Sequence, residues 1–562
     1  MASSAVEFTL LAALSMVCAV ASSYLMTSAW QAVLKHAQHW GWHTVAPKRA
    51  RQLPLPPGPW VIPYIGDTFR FMSQGLIKIS TDRMAIYGPI HRTWLLGERN
   101  VFVADAACVR KVLNGEHTIA EEDWPLGVAL LLGRKSVAVL TFDDHLNMRK
   151  LMSPAFNPKG LVRGVPRLVQ LAQEHCDRWA QQGELMGARA IKAFTFHAAV
   201  ELVLGFEKSW VTEENLAINQ ARFLAWTDAF NGTPLDLPGF KFKKANQARR
   251  ELIAAIKVNL AQMQARLQDP SQDRVGVHRT SIELALEASL PPSDSSSTSS
   301  SDDSTDAKGH GVDLDTLADT SLNLLFAGHD TSAAAITLAV RHLKLQPHLL
   351  QKLCQEQQEA AAFMQTRTFG EQPNRSAAQH FGLSSKVIDQ YGTDITDREL
   401  SAMPYTTALV KETLRHKAIV SSVWRKTLVD IELGGYRIPK GWRLNLDIWK
   451  VLLDDPRWVD QTDDFAPCRF NPDRWLTEEG ECGLDKSFIP FGGGARKCMG
   501  YNFAFMEIKV ILAVLARGYD WSVDLDETFI QTSPLPALTN GMPMKCWKQE
   551  QPMRPSSFAI RS

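Results

Sequence analysis

Phe8 to Leu34 form a run of 27 residues without Lys, Arg, Asp or Glu, and a membrane-spanning helix needs about 20. Trp30, Trp40 and Trp42 suit a membrane interface. Lys35, Lys48, Arg49 and Arg51 assign the basic side to the cytosol, with Met1 across the membrane. The pattern predicts an uncleaved anchor over 1–34, because a cleaved signal has an apolar stretch of about 7–15 residues with its charges ahead of it. The opening Met-Ala-Ser-Ser resembles a transit peptide, so an organellar targeting segment is the alternative. Against it, the first 34 residues hold no Arg. Residues 35–59 read as a basic, Pro-rich hinge. Leu53 to Pro59 places four prolines in seven positions, which makes a stiff, extended connector.

From residue 60 onward apolar positions recur mostly at helical spacing, with short β-like stretches near 90–104 and 423–446. The predicted class is mainly α with small β-sheets (α+β), in one catalytic domain over 60–562. Two polar insertions interrupt it, at about 291–311 and 364–394. The first contains Ser293 to Asp306, 14 residues of only Ser, Thr and Asp, which can bury nothing. Residues 313–345 predict one long helix that Asp313 and Asp315 begin, roughly 50 Å in length. Phe326-Ala-Gly-His-Asp-Thr-Ser332 stands in its middle. Gly328 weakens a helix there, and Thr331 can bond back to the carbonyl of Ala327. A local rule broken mid-helix, with an acid beside a hydroxyl, predicts a functional distortion.

Composition narrows the function classes. With 562 residues, 61 Lys+Arg and 60 Asp+Glu, the net charge is +1, so no global field draws in nucleic acid. A mean hydropathy of −0.15 excludes a polytopic membrane protein. Eight cysteines are too sparse for a disulfide scaffold, so a special cysteine is a ligand or a nucleophile.

One cysteine has such surroundings. Pro490-Phe-Gly-Gly-Gly-Ala-Arg-Lys-Cys-Met-Gly500 precedes an apolar helix starting near Tyr501. The glycines predict a turn that brings backbone close to something flat or bulky. Cys498 sits just before a helix, whose amides and positive end stabilise a thiolate, and Arg496 can pair an anion. A phosphate loop needs Gly-Lys-Ser/Thr, which is absent. A nucleophilic cysteine needs a His base that the sequence does not place. A haem-iron thiolate needs one cysteine, backbone donors to its sulfur and a cation for a propionate, and all three are present.

The run Phe491 to Gly500 resembles the haem-binding signature of the cytochrome P-450 superfamily: Phe, two residues, Gly, one, Arg, one, Cys, one, Gly. The match falls on Phe491, Gly494, Arg496, Cys498 and Gly500, with Gly492 in the turn. Other segments resemble the family in the same order. Lys411-Glu412-Thr-Leu-Arg415 resembles its Glu-x-x-Arg helix, and Phe470-Asn-Pro-Asp-Arg474-Trp supplies the third partner of a buried structural triad, Glu412, Arg415 and Arg474. Ala327, Gly328, Asp330, Thr331 and Ser332 match its oxygen-binding helix. His145 and Arg149 resemble its propionate-contacting helix, and Arg425 a further propionate contact. Within the superfamily the chain is most similar to the membrane-bound branch that oxidises retinoids, sterols and other terpenoids. It departs where that branch has a Pro-Pro pair after the Glu-x-x-Arg arginine: here His416-Lys-Ala-Ile-Val420 follows.

The resemblance implies a P-450 fold with haem b between the long central helix and the cysteine-loop helix, and Cys498 as axial ligand of the iron. It implies a monooxygenase that activates dioxygen, with Asp330 and Thr331 handling protons. Electrons would come ultimately from NADPH, through NADPH-cytochrome P-450 reductase or a ferredoxin. Arg134, Lys135, Lys150 and Lys497 are either a docking face for that donor or a solvated basic face. The hydrophobic substrate would lie against Trp124, Leu126, Leu130, Phe326, Val420, Val423 and Leu535. The expected location is a membrane, with the catalytic domain in the cytosol at the endoplasmic reticulum or, alternatively, at a plastid membrane. A non-redox isomerase or dehydratase of hydroperoxides, or a haem sensor without turnover, is the rival reading. Both would dispense with the Asp330-Thr331 pair.

Overall fold

Side-chain caps begin the helices that frame the site. Asp105 accepts a hydrogen bond from the Cys108 amide at 2.8 Å and starts Ala106–Asn114. Asp313 accepts one from the Thr316 amide at 2.9 Å and starts Leu314–Leu345. Each satisfies an amide that has no partner inside its helix. The computed structural model describes residues 53–206, 210–230, 234–269, 279–289, 312–368, 395–454, 458, 469–477, 488–524, 529–531, 535–538 and 540–550. The chain divides into two units, Met1–Pro54 and Leu55–Ser562.

Helices dominate the second unit, with small sheets beside them. The main sheet runs Ile90–Leu95, Glu98–Val103, Arg443–Leu446, Val423–Thr427, Ala120–Glu122 in spatial order. Glu98–Val103 and Arg443–Leu446 pair in parallel, the other neighbours antiparallel. A smaller sheet joins Glu184–Met186, Pro543–Lys548 and Tyr519–Val523. Both stretches expected to be β are strands, because alternating residues bury one face against a core of Val101, Val103, Leu444 and Leu446.

The 32-residue helix Leu314–Leu345 crosses the main core and packs against Gly187–Ala198, Lys241–Gln268 and the cysteine helix Tyr501–Gly518. That last helix is buried from Phe505 through Arg517, which explains its unbroken apolar run.

Three expectations change. The central helix runs unbroken through Phe326–Ser332, so the expected distortion is absent. The Thr331 hydroxyl donates to the Ala327 carbonyl at 2.5 Å without displacing the helical ladder. A Cβ on Gly328 would meet Ala199 and Val203 only at ordinary contact distance, 3.7 and 3.9 Å, so packing does not demand that glycine. The second polar insertion cannot begin at 364, because helix Pro347–Thr368 continues through it. The connector belongs in part to the body: the Arg92 amide donates to Pro57 O at 2.8 Å, and a Cβ on Gly58 would fall 2.1 Å from Arg92 O. The anchor over 1–34, the hinge up to 52, the first insertion and residues 369–394 lie outside the described residues. Among the described residues no helix is long and apolar enough to cross a membrane.

Candidate active site

The cysteine loop closes on itself. The Cys498 amide donates to Phe491 O at 2.9 Å, and the Lys497 amide to Gly494 O at 3.1 Å. Gly492 and Gly494 have φ of +69° and +62°, a region that side chains resist. A Cβ on Gly494 would lie 1.9 Å from Leu113 O, so that glycine admits the end of helix Ala106–Asn114. Phe491 packs on Tyr501 with ring centroids 4.7 Å apart. Cys498 lies deep in the fold and still keeps accessible surface. Burial pushes its thiol up, while the Gly500 amide, Arg149 and Lys497 pull it down. Bound to a cation, such a thiol is deprotonated outright.

Polar groups converge beside the loop. Arg149 donates to Lys497 O at 2.8 Å. Arg496 donates from Nε to Glu116 at 3.1 Å and from Nη2 to Leu140 O at 2.5 Å. Arg425 donates to Glu116 at 2.6 Å and pairs with Glu122 at 2.6 Å. His145 is 1 % exposed, and its Nδ1 has no hydrogen-bond partner among the described residues. Burial first, then Arg496 and Arg149, hold its pKa down at about 3. His117, with φ +68°, brings its ring to 5.6 Å from that of His145, and both its nitrogens are buried without a partner.

On the central helix Ala327 is exposed, and Thr331, one turn on, is partly so. Asp330 is buried and pairs with Lys192 Nζ at 2.7 Å. His329 is fully buried, with Nδ1 2.8 Å from the Thr195 hydroxyl. Glu507 on the cysteine helix is also fully buried. Burial pushes its carboxyl up to about 8, opposed by Ser332.

The structural cluster is tight. Both oxygens of Glu412 take donors from Arg415 at 2.8 Å, Arg474 lies 3.1 Å from the carboxylate, and Trp475 Nε1 and the Asn471 amide donate at 3.1 and 2.9 Å.

The expected substrate wall is more scattered. Trp124 donates from Nε1 to Ala138 O at 2.9 Å. Phe326 packs among Trp226, Phe230 and Phe223. Leu126 is 64 % exposed and Leu130 is exposed too, so solvent, not a core, surrounds much of both. Val423 packs on the sheet core and Leu535 on the main core, while Val420 is half-buried and joins neither. Of the expected docking residues all four are exposed, with Lys135 pairing Asp313 at 3.3 Å.

Sequence reasoning missed Glu116, His117, Glu122 and Lys192. No spacing signal marks them, because their partners stand at 425, 496, 145 and 330.

Comparison with known proteins agrees with this geometry. The family model "Cytochrome P450" matches residues 56–543. Cytochrome P450 26A1 of Gallus gallus is 28% identical over 494 residues, covering 88% of this chain and 90% of that one. Steroid (22S)-hydroxylase of Oryza sativa is 26% identical, covering 91% of each, and abscisic acid 8'-hydroxylase 2 of Arabidopsis thaliana is 25% identical, covering 88% and 90%. The solved structure of retinoic acid bound cyanobacterial CYP120A1 superposes with a TM-score of 0.71 at 23% identity, over 89% of this chain and all of that one, a likeness of fold. The chain therefore belongs to the cytochrome P450 family, and it is a monooxygenase of the oxidoreductase class whose cofactor is haem. The donor set fits that group: one thiol at a helix start, three guanidinia for carboxylates, and buried imidazole nitrogens with no internal partner.

Proposed function

We propose that the chain hydroxylates, epoxidises or desaturates a hydrophobic, terpenoid-like molecule of the retinoid, sterol or carotenoid kind, using dioxygen and electrons ultimately from NADPH. The observation that carries this reading is the juxtaposition of Cys498, accessible at the start of its helix, with Arg149 and Arg496 beside the same loop. The hydroxylase names of two relatives, one for a steroid and one for abscisic acid, support the substrate class.

When bound, the haem supplies dioxygen activation through a thiolate-ligated iron. Cys498 Sγ would hold the iron. Arg149, Arg425, Arg496 and His145 would hold the propionates. Ala327 leaves room on the exposed face of the central helix, where the Thr331 hydroxyl can give up its bond to Ala327 O and hold a proton toward the reacting side. Asp330 Oδ1, released from Lys192, would carry protons to that hydroxyl. The retained acid-hydroxyl pair supports turnover with dioxygen over a hydroperoxide isomerase. Phe326 and its aromatic neighbours would exclude water and shape the apolar wall.

Membrane attachment follows from Phe8–Leu34 and is supported inside the catalytic unit. Trp60, Ile62, Tyr64, Ile65, Phe69 and Met72 are all exposed, Trp60 by 86 %. Exposed apolar side chains gathered in one short stretch mark an interaction surface, here for the lipid face at the endoplasmic reticulum or a plastid. Arg134, Lys150 and Lys497 offer charge to an acidic donor, a flavin reductase at the first location or a ferredoxin at the second.

The test is the difference spectrum of the reduced protein with carbon monoxide, for wild type and Cys498→Ser. A strongly red-shifted Soret band in wild type, lost in the variant, is expected. A wild-type band at the histidine-ligated position, or no haem after native purification, overturns the reading.

A further inference from the structure

We propose that Glu116 is a positioning residue for the cofactor: its carboxylate fixes Arg425 and Arg496 in place for the propionates, and its charge remains beside the loaded haem. This rests on the haem-thiolate reading and adds a residue to which neither motif nor resemblance assigned a role.

The Glu116 side chain is 1 % exposed and bridges two elements far apart in sequence. Oε2 accepts from Arg425 Nε at 2.6 Å. Oε1 accepts from Arg496 Nε at 3.1 Å and from the Glu122 amide at 3.0 Å. One carboxylate thus orients both guanidinia by their Nε edges. The remaining donors are only partly used. Arg425 Nη1 serves Trp424 O at 2.7 Å and Glu122 at 2.6 Å, and its Nη2 makes no hydrogen bond among the described residues. Arg496 Nη2 gives one proton to Leu140 O, which leaves its second. These N–H groups remain for an outside carboxylate, and the bidentate fork of arginine suits one.

The turn that carries Glu116 is built to hold it still. The amides of Thr118 and Ile119 both reach Gly115 O, at 3.1 and 2.9 Å, and the His117 amide donates to Ala120 O at 2.8 Å. Next in the chain, His117 takes a left-handed backbone that non-glycine residues resist. That strain delivers the His117 ring to His145, so one turn presents both the carboxylate and a buried imidazole to the same cluster.

Charge gives the arrangement a measurable consequence. Arg425 and Arg496 face Glu116 and Glu122. A fixed anion close to the haem favours the oxidised, more positive iron and so lowers the reduction potential. The experiment compares wild type, Glu116→Gln and Glu116→Asp as holoenzymes. It reads the midpoint potential by spectroelectrochemistry and the rate of haem transfer to apomyoglobin. Glu116→Gln, which removes the charge, is expected to shift the potential positive and to speed haem transfer several-fold. Glu116→Asp keeps the charge but is too short to bridge both guanidinia, so its potential stays near wild type while transfer still quickens. Loss of haem from a variant that keeps wild-type helical circular dichroism also supports the proposal. Should Glu116→Gln not fold, the Asp variant alone decides by its transfer rate. Unchanged potential and unchanged transfer in a folded Gln variant overturn it and leave Glu116 a merely structural ion pair. A wild type without haem, or without the red-shifted carbon monoxide band, fails the parent reading instead.

Discussion

Glu412 and Glu116 are both buried carboxylates set between two guanidinia, yet their surroundings end differently. Glu412 takes donors from Arg415, Arg474, Trp475 and Asn471, and the spare nitrogens of Arg415 and Arg474 go to the carbonyls of Leu452, Arg469 and Trp458. Around Glu116, among the described residues, Arg425 Nη2 makes no hydrogen bond, and both ring nitrogens of His117 and Nδ1 of His145 have no partner. A cluster that satisfies itself is scaffold. One that keeps unused hydrogen-bonding groups costs stability where they are buried, so leftover hydrogen-bonding capacity separates the Glu116 cluster from the Glu412 one.

The largest effect should come from breaking the closed cluster. Glu412→Ala leaves two buried guanidinia uncompensated and is expected to cost about 3–5 kcal/mol, read as a fall in the denaturation midpoint. A loss below about 1 kcal/mol would mean the triad is not the scaffold described here.

Acid tests the same region more gently. His342 stacks on Phe470 with ring centroids 3.9 Å apart, next to the triad. Burial first, then His416, Arg341 and Lys417, hold its pKa down at about 3. The unfolded chain takes up this proton near pH 6.5 and the folded one only near 3. Stability is therefore whole above 6.5 and falls as the pH drops below it, by up to ~1.4 kcal/mol per pH unit for this group. His342→Phe should flatten the curve of stability against pH between 6.5 and 4; an unaltered slope would mean that His342 is not held neutral.

Thr331→Ala should have the smallest effect on folding, under about 1 kcal/mol, because a partly exposed hydroxyl bonded to its own helix adds little. Product formed per electron consumed should nevertheless fall several-fold. Equal coupling in variant and wild type removes the proton role from that hydroxyl.

Local chemistry was readable where one stretch of chain carries the whole pattern. The cysteine loop carries its thiol, its guanidinium and the start of its helix within a dozen residues. Glu412 and Arg415 share a helix face at i, i+3, and the Asp313 cap announces the central helix. The pairings were not readable. Arg425 and Arg496 looked like donors awaiting carboxylates, and nothing in Gly115-Glu116-His117 showed that a carboxylate 309 residues from one and 380 from the other already holds them. Lys192 on Asp330 was hidden for the same reason. The approach of the Leu113 carbonyl to Gly494 was hidden too.

The sequence by itself determined the helices, the turn that carries Cys498 and the reaction class, because period, capping and a contiguous glycine-rich loop are properties of neighbouring residues. Only the tertiary structure decided which buried charges are closed to the outside and which keep donors for a ligand. That depends on where distant segments pack and on how many hydrogen bonds each group has left once they have done so.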